Sequence, residues 1–136
     1  MGLFGKKNKI PDGIRVVYYE GELPEFQCNF GCQILLMDDC LRITKINPYV
    51  EVKLDRNRIS SIDIFREKEY MIKYKGVSAE TTKEKNMHKD YYVINYVDKN
   101  GNCKHLDLWG TSAETIKVRK MSVALSTNNC STSYEI

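Results

Sequence analysis

The chain holds 136 residues, 42% of them hydrophobic and 29% charged, which places it with single globular domains and outside the disordered class. A core of this size buries about two-thirds of the unfolded surface, so neither disulfides nor metal is needed to hold it. A net charge of +3 is too small a surplus to make nucleic acid the default partner, and no apolar run reaches the roughly 18 residues of a membrane span. Residues 1–10 lack the apolar stretch of a signal peptide, and the expectation is a soluble, cytoplasmic protein.

Charge is segmented along the chain. Residues 17–40 carry Glu20, Glu22, Glu25, Asp38 and Asp39 and no Lys or Arg, whereas 41–60 carry Arg42, Lys45, Lys53, Arg56 and Arg58 against Glu51 and Asp55. Mixed patches of this kind keep small domains soluble. Five cysteines, at 28, 32, 40, 103 and 130, form an odd set that reads as reduced thiols. The Cys28-x3-Cys32 spacing lacks a second pair, and His88 and His105 complete no zinc pattern. Neither metal nor cofactor is expected.

In chain order, residues 1–13 read as a flexible basic N-terminus holding Lys6, Lys7 and Lys9 behind Leu3 and Phe4. A single domain over 14–126 follows, and 127–136 read as a polar tail. Within the domain the dominant period is two: Val50, Val52 and Leu54 alternate with Glu51, Lys53 and Asp55, the pattern of a strand with one buried and one wet face. Extended runs recur at 14–20, 33–37, 40–46, 60–66, 70–75, 91–97 and 103–109, rich in Val, Ile, Tyr and Phe. Leu54 and Ile62 are assigned to the core.

Asp38-Asp39 predicts a hairpin turn, since Asp bonds its own backbone and tolerates left-handed dihedrals. The run Asp98-Lys-Asn-Gly-Asn102 predicts another, with Asn-Gly supplying positive φ. Pro48 cannot donate to a ladder, so Asn47-Pro48 marks a third turn. Residues 76–89 are polar and read as a long exposed loop. One helix is expected, from Thr111, where Thr111 and Glu114 form a capping box, to about Ser126. Ala113, Ile116, Met121, Ala124 and Leu125 are expected on its buried side, with Lys117, Arg119 and Lys120 outside.

About seven antiparallel strands followed by one amphipathic helix resembles the pleckstrin-homology-like superfold, including bacterial PH-like and GRAM-like domains. Three stretches carry the resemblance: Gln33-Ile-Leu-Leu-Met-Asp-Asp-Cys-Leu-Arg-Ile-Thr44 as the early hairpin, Val52-Lys-Leu-Asp-Arg-Asn-Arg-Ile-Ser-Ser-Ile-Asp-Ile64, and the capped terminal helix. The resemblance implies a mainly β fold, a bent barrel of two antiparallel sheets plugged by a C-terminal α-helix. Phosphoinositide binding in that group needs Lys and Arg on the first two strands. No basic residue lies between Arg15 and Arg42 here, while three glutamates do, so that activity is not expected.

Function is therefore read as a non-catalytic binding or scaffolding module for a protein or peptide partner, a second copy of the chain included. Tyr18, Tyr19, Tyr91, Tyr92 and Tyr96 are its candidate contacts, because in adjacent pairs one ring must face outward and an exposed Tyr anchors interfaces well. The alternative is weak attachment to anionic lipid through Lys6, Lys7, Lys9, Arg42, Lys45, Arg56 and Arg58. A third class is a small hydrolase at His105, Asp107 and Trp109, which share one strand face. Same-face neighbours rarely aim at each other and no nucleophile is placed, so an ordinary sheet face is expected there and no catalysis. Gly-rich phosphate loops, G-x-S-x-G and H-E-x-x-H are all absent from the sequence.

Overall fold

A computed structural model describes residues 10–76 and 88–129. Seven strands form: β1 (Ile14–Glu20), β2 (Phe30–Leu36), β3 (Cys40–Lys45), β4 (Val50–Asp55), β5 (Ile59–Arg66), β6 (Asp90–Val97) and β7 (Cys103–Gly110). They make one antiparallel ladder in the order β4-β3-β2-β1-β7-β6-β5. The predicted turns lie where expected. Met37 N–H donates to the Cys40 carbonyl at 2.8 Å across Asp38-Asp39, and the Asp98 carboxylate accepts from the Asn100 and Asn102 amides at 2.8 and 2.9 Å. Gly101 supplies the positive φ of the second turn.

The fold is mainly β, as expected, but a single continuous ladder takes the place of two separate sheets. The ladder is also open, for a topological reason. In an antiparallel order of seven, the first and last strands point the same way, so joining β4 to β5 side by side would make a parallel pair. Parallel neighbours need a crossover of about a dozen residues. Only the 3-10 turn Arg56–Arg58 links them, so β5 starts where β4 stops and the two edges cannot zip together.

The ladder rolls around one core. Val16, Ile34, Leu41, Ile43, Leu54, Ile62, Ile94, Leu106 and Leu108 fill it, with Leu54 and Ile62 inside as predicted. Helix α2 (Ser112–Asn129), which follows the short helix α1 (Glu67–Tyr70) in the chain, closes the roll with Val118, Met121 and Leu125. It runs into the segment read as polar tail, since Thr127 to Asn129 are still helical. The Glu114 carboxylate accepts from the Thr111 amide at 2.9 Å as a capping box requires, but the Thr111 hydroxyl donates to that carboxylate as well. Gly110 is needed at the junction, because a Cβ there would sit 2.6 Å from the Tyr92 hydroxyl.

Two expectations are corrected. Ala113, Ile116 and Ala124 face outward rather than into the core. The helix has two apolar stripes, and the Thr115 hydroxyl chooses between them by its contacts with Tyr92 at 2.8 Å and Asp90 at 2.7 Å, which turn Thr115, Val118 and Leu125 inward. The run 70–75 is not a strand: α1 (Glu67–Tyr70) continues into a π-helical turn, Met71–Lys75. Tertiary contact overrides the local alternation, since only a helical path lets Tyr70 stack on Tyr91 at 4.2 Å between centroids and on Tyr74 at 5.0 Å. Most of the expected loop at 76–89, and the basic N-terminus 1–9, lie outside the described residues. No helix among the described residues is long and apolar enough to cross a membrane.

Candidate functional site

None of the five candidate tyrosines is an exposed anchor. Tyr18 and Tyr92 point into the main core and Tyr96 packs against it. Tyr91 and Tyr19 do face the other side of the sheet, as adjacent pairs must, but that side is covered by α1 and the turn after it. There Tyr70, Tyr91 and Val93 form a second core with Tyr19, Phe65, Met71, Tyr74 and Trp109 around it.

At the centre of this outer layer lies a carboxylate. Asp107 is 1% exposed; its Oδ2 accepts from the Tyr70 hydroxyl, and its Oδ1 lies 2.6 Å from His105 Nδ1. His105 and Asp107 therefore do aim at each other, against the expectation for same-face neighbours; the buried carboxylate has little choice of partner. Burial and then the Asp107 contact push the Tyr70 phenol far above its ordinary value. Trp109 turns elsewhere, its indole N–H donating to Asn29 Oδ1 at 3.1 Å. Both carboxylate oxygens are thus engaged, one by Tyr70, which ties the α1 segment to the sheet, and the other by His105 of the same strand, which is the arrangement of a clamp. Chemically, the contact with Nδ1 fixes the His105 tautomer.

Among the described residues, the predicted cations do not form one patch. Lys6, Lys7 and Lys9 lie outside the described residues. Lys45 is buried at the far end of β3, its ammonium donating to the Pro48 carbonyl at 3.3 Å and lying over Phe26 and Phe30. Arg42 donates to the Asp12 carbonyl at 3.1 Å. Only Arg56 and Arg58 share a site, a cleft of about 690 Å³ where the turn at Asp38-Asp39 meets the β4–β5 link. Lys53 and Lys99 join them there, and Asp38, Asp39 and Asp55 offset the charge. The Arg56 guanidinium is already committed to the Met37 carbonyl at 2.8 Å. Of the cysteines, Cys28 is exposed while Cys32 is fully buried with its thiol pushed up to about 12 by burial.

The two ends of the ladder differ. Along β5, the Ser122 hydroxyl of α2 donates to the Ile62 carbonyl at 3.0 Å, so the helix lies over that edge. Along β4 the phase of the hydrogen bonds can be followed from the hairpin. Met37 bonds to Cys40, so Cys40, Arg42 and Thr44 face β2, and Leu41, Ile43 and Lys45 face Leu54, Val52 and Val50. The Arg56 amide, bonded to the Asp39 carbonyl at 3.1 Å, keeps the same phase. Glu51, Lys53 and Asp55 therefore turn their backbone N–H and C=O groups away from β3, and no strand among the described residues pairs with them. Sequence reasoning missed this edge because it depends on strand order; the charged side chains of these three residues read only as a wet face.

No protein family, no curated protein and no solved structure matches the chain, so the site rests on its own geometry.

Proposed function

We propose that the chain is a non-catalytic binding module of pleckstrin-homology-like architecture, acting in the cytoplasm on a polypeptide partner. The ladder order, with β1 between β2 and β7 and a C-terminal helix closing the roll, supports the architecture. The observation that carries the function is the edge of β4, which no strand among the described residues pairs. An extended segment laid along it satisfies the outward groups of Glu51 and Lys53 and the Asp55 amide by strand addition, and the alternating sign of these side chains favours a segment of opposite alternation. The engagement of both Asp107 oxygens supports a clamp, rather than a reacting group, at His105.

The test is an amide-shift titration with a synthetic library of extended octapeptides in which Val and Thr alternate with Lys and Glu. Shifts concentrated at the amides of Glu51, Lys53 and Asp55 are expected. A library that leaves β4 unmoved overturns the reading.

A second reading, attachment to an anionic membrane, moves from the expected cations to the outer side of α2. Ile116 and Val123 are each 60% exposed, and with Arg119 and Lys120 they line a shallow hollow of about 380 Å³. Apolar groups beside cations suit an anionic lipid surface. Sedimentation with phosphatidylserine vesicles should fall with salt and with Arg119→Glu plus Lys120→Glu; no binding at low salt removes it.

A further inference from the structure

We propose that the occupant of the β4 edge is β4 of a second copy, paired antiparallel about a twofold axis at Val52. This rests on the reading of β4 as the docking edge and names its partner.

Three features favour this occupant. The first is backbone chemistry: a copy of β4 presents the same outward groups, on Glu51 and Lys53, in the same phase, so each strand meets the other's donors and acceptors left unpaired among the described residues. The second is charge. Residues directly opposite across the new ladder must both come from the outward set, which leaves only registers that differ by two residues. Centred on Val52, Glu51 of one copy faces Lys53 of the other, twice. Centred on Lys53, the lysines face each other and Glu51 faces Asp55. Centred on Glu51, the glutamates collide. Centring on Leu54 pairs Lys53 with Asp55, but then only Lys53 to Asp55 overlap within strand, because Arg56–Arg58 is a 3-10 turn. Opposite charges directly across a ladder stabilise it and like charges oppose it, so the sequence selects Val52.

The third feature is the other face of the strand. Val50 and Val52 are only half-buried in the single chain, packed at the margin of the core. In the Val52 register Val52 meets its own copy and Val50 meets Leu54 of the other, so the apolar margins of two open rolls cover each other. Charged residues on a strand edge ordinarily keep edges apart. Here their alternating sign rejects most registers and leaves one.

The experiment uses the full chain and light scattering coupled to size exclusion. The wild type is expected as a dimer. Lys53→Glu places Glu opposite Glu and Glu51→Lys places Lys opposite Lys, each twice across the axis, so each variant alone should associate about tenfold more weakly or worse. Mixed in equal amounts, the two variants regain both opposite-charge pairs and should form a heterodimer, and the chain carrying both substitutions should dimerise on its own. Because the recovered species contain the same changes, misfolding cannot mimic this result. A wild type that stays monomeric at its solubility limit overturns the pairing, as do single variants that dimerise as well as wild type or a mixture that fails to recover. If the wild type is monomeric yet the octapeptide library still shifts the β4 amides, self-pairing falls and the docking edge stands; if neither occurs, both fall.

Discussion

The two faces of the sheet carry two cores built on different chemistry. The inner face is mainly aliphatic, with Val16, Ile34, Leu41, Ile43, Ile94 and Leu108 filling space, and its stability depends chiefly on volume. The outer face is a layer of rings around one buried carboxylate, where Tyr70 stacks on Tyr91 within 6° of parallel and hands its hydroxyl to Asp107. Removing a methyl group matters inside. Outside, the decisive loss is a hydrogen-bond partner, because a buried carboxylate stripped of a donor keeps its desolvation cost.

The largest expected effect lies inside. Leu41→Ala should cost about 2–5 kcal/mol in urea denaturation, since Leu41 is fully buried and the two sheet halves cannot collapse onto the void. A midpoint equal to wild type would place Leu41 off the core. Next comes Tyr70→Phe, which keeps the ring and removes only the donor to Asp107; about 1.5–3 kcal/mol is expected. In an Asp107→Asn background the same change should cost less, and an equal cost in both would mean that the outer layer does not depend on its carboxylate. Smallest is Tyr92→Phe on the inner face, about 0.5–1.5 kcal/mol for the neutral contact with Thr115.

The last variant also has a signature in pH. Burial pushes the Tyr92 phenol up to about 12, against the Thr115 contact that lowers it, from an ordinary 10.0. The native state then holds its proton longer than the unfolded one, so this contribution is intact below pH 10 and is lost as pH rises through 12. Tyr92→Phe should flatten the alkaline fall in thermal midpoint. Part of the fall should persist, because burial also raises Tyr18, Tyr70 and Tyr91.

The inner face was legible because its code is local. The alternation at Val50, Val52 and Leu54, the Asp38-Asp39 turn and the Thr111 to Glu114 cap each act within a few residues, and each lies where the pattern put it. The outer layer was not. Tyr70, Ile72 and Tyr74 alternate as a strand would, and what bends them into a helical path is Tyr91, distant in sequence, together with the Arg66 amide bonding Glu69 at 3.1 Å. Helix α2 was found but turned wrongly, since Ile116 and Val118 lie on opposite stripes and only Tyr92 and Asp90 decide between them. The β4 edge was illegible for a third reason: nothing in a strand's own residues states how many neighbours it has.

The first strand has one neighbour close by and one far away. β1 joins β2 through a short loop, but its other side pairs Val17 with Trp109, near the last element described. During synthesis from the amino end, β1 to β4 emerge as a complete meander while the free side of β1 waits for almost the whole chain to follow. For that interval the nascent protein has two bare edges, β1 and β4, instead of one, and β1 is the more dangerous because its outward residues are largely apolar. Slow translation across residues 67–102 would lengthen that exposure, so the tempo of synthesis bears on the yield of this protein even where no residue of the finished sheet is changed.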